Sequence, residues 1–593
     1  MRNTLKFGKI ARISTLWVTL ILLLAQCTSK IPNLLAPDMV LFNGNIVTVD
    51  EDFSIAQAVA IKDGLIVAVD SDQAVLATAS TETQRIDLDG KTVLPGFNDS
   101  HLHLSWPVGE LPDPSIQQLS QARSINQILD IVQRKVAITP PGELVWIPGG
   151  VARAEQIKEK RWPTRHDLDP ISPENPVIMT FAADHVYLTN TLGLSKSGID
   201  KHSTQPHARG LFGEFITDES GEPTGILTGR AAARILRMAL NVWSTEELEA
   251  NIGRAIVTDV IPYGITSLSD PQNGGSPPKP VQHAYQRLLN RPEGLPARIN
   301  LMIRLPVRSL STQDTLDLID RLIYAPPLEN DFFRVGSLKV ALDKGRPGQS
   351  PYIVPEERGK KALIEAHRKG WQLYVHITTP ETFDYASAAL KEAYSLYPRQ
   401  DARHIFTHIN QPTQANIEIM QSLGIIADLQ VNSIYHISDD AEEHYRVNPE
   451  RPDLGPRPVA TYRDAGIPVI LSSDQAPVGP LFTIFEAVNR VRKSGKVFRP
   501  EERLTLEEAI RAVTIKSAWA FFQDNVKGSL EVGKYADLVV LGQNILTIDP
   551  LEIMNIPVLM TMTNGKFVYT NPNQDPKQKV EYLRYPTRVS YLD

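Results

Sequence analysis

His101 and His103 stand two residues apart in Pro95-Gly96-Phe97-Asn98-Asp99-Ser100-His101-Leu102-His103-Leu104. In an extended strand, residues i and i+2 point the same way, so the pair would aim two imidazoles at one point, as chelation of a divalent cation requires. Alone, such a pair arises by chance in a chain of 593 residues. Its company gives it weight. His376 and His408 each end an apolar run, in Val375-His376-Ile377 and Thr407-His408-Ile409, Asp474 ends Leu471-Ser472-Ser473-Asp474, and Lys339 lies inside the apolar run 335–340. A single strand-end histidine is more often a hydrogen-bonded structural residue. Asp474 alone would cap the following turn, and Lys339 alone would reach the rim or a carboxylate. Together they gather at the carboxyl ends of apolar strands, the face where parallel α/β barrels build active sites. Independent accidents do not select that end each time, so the set reads as a metal site.

The hydrophobic pattern shows which strands and helices carry these residues. Between about residues 94 and 523 short apolar strands alternate with longer helical stretches, the mark of a parallel α/β architecture. Eight strands are expected, ending near His103, Asp270, Pro306, Asp343, His376, His408, Gln430 and Asp474. Eight such units make a closed (β/α)8 TIM barrel. Helices are expected over 360–369, 380–397 and 414–423. From the first strand to the second the chain runs about 160 residues, where one βα unit needs about 30. The excess, 107–250, carries its own strands at 144–147 and 176–181 and reads as a subdomain inserted after the first strand, over the barrel mouth. Its aromatic residues Trp146, Trp162, Phe181 and Tyr187 suit either a partly apolar ligand or a small core. Both ends of the mature chain look like hairpins: 39–49 turning at Asn43-Gly44, 58–69 at Asp63-Gly64, and 558–569 at Asn564-Gly565. Residues 37–93 and 524–575 are therefore expected to form one small β-sandwich domain.

The chain also resembles the metal-dependent amidohydrolase superfamily, and within it the YtcJ-like group that includes N-substituted formamide deformylases. The resemblance runs from about Asp38 to Tyr569. It rests on Pro-Gly-Phe-x-Asp-Ser-His-x-His at 95–103, Trp162-Pro163-Thr164-Arg165 with Leu168-Asp169, Gly221-Glu222-Pro223-Thr224-Gly225, and Gly264-Ile265-Thr266-Ser267. It continues through Leu471-Ser472-Ser473-Asp474-Gln475-Ala476-Pro477 and Lys527-Gly528-Ser529-Leu530-Glu531-Val532-Gly533-Lys534-Tyr535-Ala536-Asp537. The resemblance implies that His101, His103, His376, His408 and Asp474 are metal ligands. It also implies that Lys339 carries a carbamate able to bridge two cations; a one-metal site with unmodified Lys339 is the alternative. Zn²⁺ is the first metal expected of such a histidine-rich site, which also accepts Mn²⁺, Co²⁺ or Fe²⁺. The implied reaction is hydrolysis of a carbon–nitrogen bond other than a peptide bond in a small-molecule substrate. Asp474 would take a proton from the attacking water and return it to the leaving nitrogen. His436 and His185 are candidate donors to the developing oxyanion, and each would serve equally as a solvated loop histidine. Arg165 could hold a substrate carboxylate or pin the insert to the barrel. Two stretches depart from the family pattern where substrate contacts are expected: Asp343-Lys344-Gly345-Arg346 and Ala183-Asp184-His185. Two other readings stay open: an ester, lactone or phosphoester hydrolase on the same site, and a lipoprotein that binds a ligand without turnover.

Composition excludes other classes. A hydrophobic content of 42% and a charged content of 22% are globular values. The net charge of −7 is spread along the chain, without the basic face of a nucleic-acid binder. The single cysteine, Cys27, excludes an internal disulfide framework and a thiolate zinc cluster. Residues 1–30 read as an address. Arg2, Lys6, Lys9 and Arg12 precede an apolar run from Leu16 to Ala25, too short for the roughly 20 residues of a membrane span. Leu24-Ala25-Gln26-Cys27 resembles a bacterial lipobox, with Gln26 where a small residue is usual. The expectation is an exported, periplasmic or cell-surface lipoprotein held to the membrane through lipidated Cys27. An uncleaved signal anchor and a soluble secreted form are the alternatives. No nucleic-acid partner is expected, and a homodimer is compatible with the sequence.

Overall fold

In the computed structural model the structure describes residues 36–104, 122–147, 157–181, 186–205, 214–228, 245–271, 279–307, 310–322, 330–342, 356–437, 457–474 and 479–572, with the isolated positions 119, 154, 231, 235 and 439. The expected signal segment and Cys27 lie outside the described residues. Among the described residues no helix is long and apolar enough to cross a membrane.

Eight parallel strands form one sheet: β1 (Phe97–Asp99), β2 (Ile265–Asp270), β3 (Arg298–Arg304), β4 (Phe333–Ala341), β5 (Gln372–Ile377), β6 (Ile405–His408), β7 (Ile426–Leu429) and β8 (Val469–Leu471). Each pairs with its sequence neighbours. A parallel bridge between Leu102 and Asp474 joins the first strand's continuation to the last, which curls the sheet into a barrel. Apart from the first, which ends at Asp99 and not near His103, the strands stand where the hydrophobic pattern puts them. So do the helices Glu356–Arg368, Pro380–Leu396 and Gln414–Leu423 between them.

Period-two geometry inside the barrel separates an apolar layer from a polar one. Met302, Tyr374, Ile405, Ile426 and Ile470 share one buried cluster with Phe521. Two residues further along the same strands, on the same face, stand Arg304, His376, Thr407, Asp428 and Ser472. The apolar layer therefore forms the floor beneath a ring of groups that can do chemistry.

Two further sheets come from the chain's ends. A six-stranded sheet combines Asn45–Val47, Ile55–Ala56 and Thr92–Pro95 with Leu538–Leu541, Val558–Thr563 and Lys566–Thr570. A four-stranded sheet holds Met39–Phe42, Ala58–Lys62, Leu65–Asp70 and Gln84–Asp87. Leu41, Ile61, Val93, Leu538 and Met562 belong to one shared core. Two of the three expected hairpins form. Asp63-Gly64 (φ 51° and 80°) and Asn564-Gly565 (φ 52° and 73°) both adopt the left-handed pair that a tight two-residue turn needs. The hairpin at Asn43-Gly44 does not form. Met39–Phe42 pairs with Ala58–Lys62 and Gln84–Asp87, whereas Asn45–Val47 pairs with Ile55–Ala56 and Thr92–Pro95, so the chain crosses between sheets there. Gly44 serves close approach instead: a Cβ on it would lie 2.4 Å from Leu88 Cδ1.

The insert carries a five-stranded sheet of Val145–Ile147, Val177–Phe181, Val186–Thr189, Phe215–Thr217 and Pro223–Thr228. Its sequence motifs have local structural work. Thr164 and Asp167 cap the helix Arg165–Leu168 reciprocally. Gly225 (φ 91°) lets that helix approach the sheet, since a Cβ there would lie 3.1 Å from Arg165 N and 2.2 Å from Thr189 O. Trp162 packs on Phe181 at 5.0 Å between ring centres.

Beside the start of β5, a buried histidine pair has every ring nitrogen assigned. Leu373 N donates to His404 Nδ1 at 3.0 Å, so His404 Nε2 carries the proton and donates to His367 Nδ1 at 2.8 Å. His367 Nε2 then donates to the Tyr397 carbonyl at 2.7 Å. Both rings are neutral, and burial holds both pKa values below the usual histidine range, His404 the further. An unfolded histidine binds a proton below about pH 6.5, which buried His404 cannot, so stability rises with pH below that value and falls on acidification. The slope expected from His404 is about 1.4 kcal/mol per pH unit between its unfolded and folded pKa values. Urea unfolding from pH 7.5 to 5.0 should therefore show a shallower acid limb in His404→Asn than in the wild type; identical slopes would contradict the assignment.

Candidate metal centre

The site sits where the barrel closes, and its own backbone makes the closure. Asp474 N donates to His101 O at 2.6 Å, and His103 N donates to Asp474 O at 3.1 Å. Asp99 fastens the same junction: its Oδ1 accepts from His101 N at 3.1 Å and from Ser473 N at 3.2 Å. Burial pushes the Asp99 carboxyl up to about 7. The expectation that His101 and His103 lie within the first strand is corrected. β1 ends at Asp99, and the two histidines follow in the bridged segment, where the barrel seam sets their direction.

The side chains converge. His101 Nε2 lies 3.2 Å from His103 Nε2, 3.6 Å from Asp474 Oδ1 and 3.2 Å from Lys339 Nζ. His103 Nε2 is 3.2 Å from the same Asp474 oxygen. One ligand atom from each of His101, His103 and Asp474 falls within 4.8 Å of the others. Lys339, buried in β4, also lies over the Tyr374 ring at 4.5 Å. His376 and His408 pack against each other with ring centres 4.2 Å apart, and His408 is 5.4 Å from His101. The structure thus gathers all six residues expected as ligands. His408 (φ 74°) and Asp474 (φ 57°) are left-handed, a conformation that costs an L-residue about 1–2 kcal/mol and here falls on two of these six residues.

Electrostatics suit a cation. Burial, first, and the neighbouring Lys339 charge hold His101 well below the usual histidine range. Burial also pushes His103 down to about 4. Both imidazoles are therefore neutral near pH 7, with lone pairs to offer. Burial opposes ionisation of Asp474, yet the surrounding histidines, His101 foremost, leave it well below the usual carboxylate range, so it is an anion. Two neutral imidazoles and a carboxylate converging on one point are the donor set of a divalent cation.

Asp428 is a central residue that the sequence pattern did not single out. It is fully buried on β7. Its Oδ1 accepts from Ser100 Oγ at 3.0 Å, and its Oδ2 accepts from Thr407 Oγ1 at 3.0 Å, Gln430 Nε2 at 3.1 Å, Ser472 Oγ at 3.1 Å and the Tyr374 hydroxyl. Burial raises its pKa, and these donors pull it back. The available signal was a carboxylate inside the apolar run Ile425-Ile426-Ala427-Asp428-Leu429, two residues from a floor residue. Of the two oxyanion-donor candidates, His185 lies outside the described residues. His436 ends the short helix Val431–His436, and its side chain lies outside them too.

Comparison with known proteins shows the family and the fold. A family model described as "Amidohydrolase family" matches residues 84–569. The chain is 28% identical to an N-substituted formamide deformylase of Arthrobacter pascens over 90% of its own length and 98% of the relative's. It is 26% identical to the putative amidohydrolase YtcJ of Bacillus subtilis (strain 168), over 89% and 98%. Among solved structures, an uncharacterised metal-dependent hydrolase from Pyrococcus furiosus shares the fold, with a TM-score of 0.62 at 21% identity over 86% of this chain and 99% of that one.

Proposed function

The chain belongs to the amidohydrolase family, and on that premise we propose that it hydrolyses carbon–nitrogen bonds other than peptide bonds, in amides, formamides or cyclic amides. The observation that carries this reading is the convergence of neutral His101 and His103 with anionic Asp474 within 4.8 Å. A divalent cation, Zn²⁺ first, bound by these residues would supply an acidified water and polarise the scissile carbonyl. The protein's own groups do the rest. Asp474 is placed to accept a proton from an attacking water and to hand it to the departing nitrogen. Asp99 and the seam hydrogen bonds keep His101, His103 and Asp474 in register while the proton moves. Lys339, His376 and His408 are proposed to complete the ligand set. In this reading the Lys339 amine, in neutral form, adds carbon dioxide: a nitrogen–carbon bond forms, one proton leaves, and the product is an anion with two oxygen donors for a second cation. His436 and His185 are proposed donors to the oxyanion. The protein is proposed to act outside the cytoplasm, anchored through Cys27.

N-substituted formamides are the first substrates to test, because the Arthrobacter pascens relative is described as acting on them. A panel of these, cyclic amides, carboxylic esters and phosphoesters should be offered to metal-depleted and metal-reconstituted protein. Turnover is expected with the amide classes and only after reconstitution. Turnover confined to esters or phosphoesters would contradict the proposal.

A further inference from the structure

We infer that Thr407 and Asp428 fix the tautomer of His101, acting as positioning residues that leave its Nε2 lone pair free for the metal. The inference rests on the metal-binding reading above and concerns how that binding is prepared. The Thr407 hydroxyl has one proton and two lone pairs. Its proton goes to Asp428 Oδ2 at 3.0 Å. One lone pair accepts from Gln430 Nε2, also at 3.0 Å. The remaining contact, His101 Nδ1 at 3.3 Å, must then be one that Thr407 accepts, so the proton sits on Nδ1. Asp428 reinforces the choice, since its Oδ2 lies 3.7 Å from the same Nδ1 and attracts an N–H while repelling a lone pair. With Nδ1 protonated, neutral His101 carries its lone pair on Nε2, the atom that faces His103, Lys339 and Asp474.

The opposite arrangement, with Thr407 donating to Nδ1, would place a proton on Nε2, pointing into the site. It would also forfeit the hydrogen bond to the carboxylate, which is the stronger acceptor. Asp428 is itself held by Ser100, Tyr374, Gln430 and Ser472, all of them donors, so neither it nor Thr407 can rotate away without stranding several polar groups. Partners that orient a metal-binding histidine in this way typically contribute 10- to 100-fold in metal affinity.

The test is the Zn²⁺ dissociation constant of metal-depleted protein, measured by competition with a chromophoric chelator, with thermal unfolding as a check on folding. Thr407→Val keeps the shape and removes the hydroxyl; it should weaken binding about 10- to 100-fold. Thr407→Ser restores the hydroxyl and should bind within about threefold of the wild type, given a hydroxyl in the same place. Asp428→Asn, which removes the charge that takes the threonine proton, is the second variant should Thr407→Val fail to fold, and it should weaken binding about tenfold or more. Binding by folded Thr407→Val or Asp428→Asn as tight as the wild type's would overturn the inference and leave the metal reading standing. So would Thr407→Ser binding as weakly as Thr407→Val. A wild type that takes up no Zn²⁺ would instead overturn the metal reading, and this inference with it.

Discussion

Replacing Asp474 with asparagine is expected to lower kcat on the best amide substrate by about 10³–10⁴, the upper range for losing a positioned acid–base group. The fold should survive. The seam bonds at this position, Asp474 N to His101 O and His103 N to Asp474 O, are made by backbone and persist in the amide. The carboxylate's charge does not persist. Of the three clustered residues Asp474 alone is an anion at neutral pH, and burial keeps His101 and His103 neutral. Asparagine retains one oxygen donor but can accept no proton in its place. Steady-state kinetics alongside bound-metal content separate the two losses. A variant that keeps its metal and falls by less than about tenfold would move the proton-transfer role away from Asp474, because that loss is below what such a group contributes.

The largest expected effect on stability lies at the opposite end of the barrel. Arg298, at the start of β3, forms a two-pronged ion pair with Asp537, Nε to Oδ2 at 2.7 Å and Nη2 to Oδ1 at 2.9 Å. Both side chains are buried, 3% and 4% exposed. Asp537 Oδ1 also accepts from Asn564 N at 2.8 Å, and the guanidinium lies 3.9 Å from the Tyr535 ring centre. The pair therefore joins the barrel to the sheet built from the chain's ends. Asp537→Ala leaves a buried, permanently charged guanidinium without its counter-ion, and removing one member of such a pair costs about 3–5 kcal/mol. Urea unfolding should show a midpoint lowered accordingly. Turnover by the folded fraction should be nearly unchanged, since Asp537 touches none of the site residues. A loss below about 1 kcal/mol would mean that the pair behaves as a solvent-screened surface contact.

An element can be read from the sequence where the contacts that decide it are local. Strand and helix positions were legible because period-two and period-3.6 patterns are written within one element. Asp63-Gly64 and Asn564-Gly565 were legible for the same reason: the left-handed pair is demanded by the turn itself. Asn43-Gly44 carries the same dipeptide, but its flanking strands are claimed by distant partners, Met39 by Ile61 and Gln84, Ile46 by Ala56 and Val93. Nothing local records that choice. The convergence of the candidate residues could be anticipated from residue type and place at strand ends. Its geometric warrant could not, since His101 and His103 converge through the seam with Asp474, a contact spanning more than 370 positions. Asp428 is not marked locally, because its role consists of what it accepts from other strands, and Asp99 shows its role only through the bond from Ser473 N across the seam. The stretch 527–537 drew attention as a family mark, and it also stitches parts together: Lys527 Nζ donates to Ser267 Oγ, Leu530 N to Thr48 O, and Asp537 pairs with Arg298.

His101, His103 and Asp474 are proposed to hold a divalent metal. Elemental analysis of protein purified without chelators, in the wild type and in His101→Ala, tests this proposal most directly. About one to two equivalents of a transition metal are expected in the wild type, as one- or two-metal hydrolase sites hold, and loss of most of it in the variant. A well-folded wild type that contains no metal and takes none up on addition, or a His101→Ala variant with undiminished metal, would contradict it.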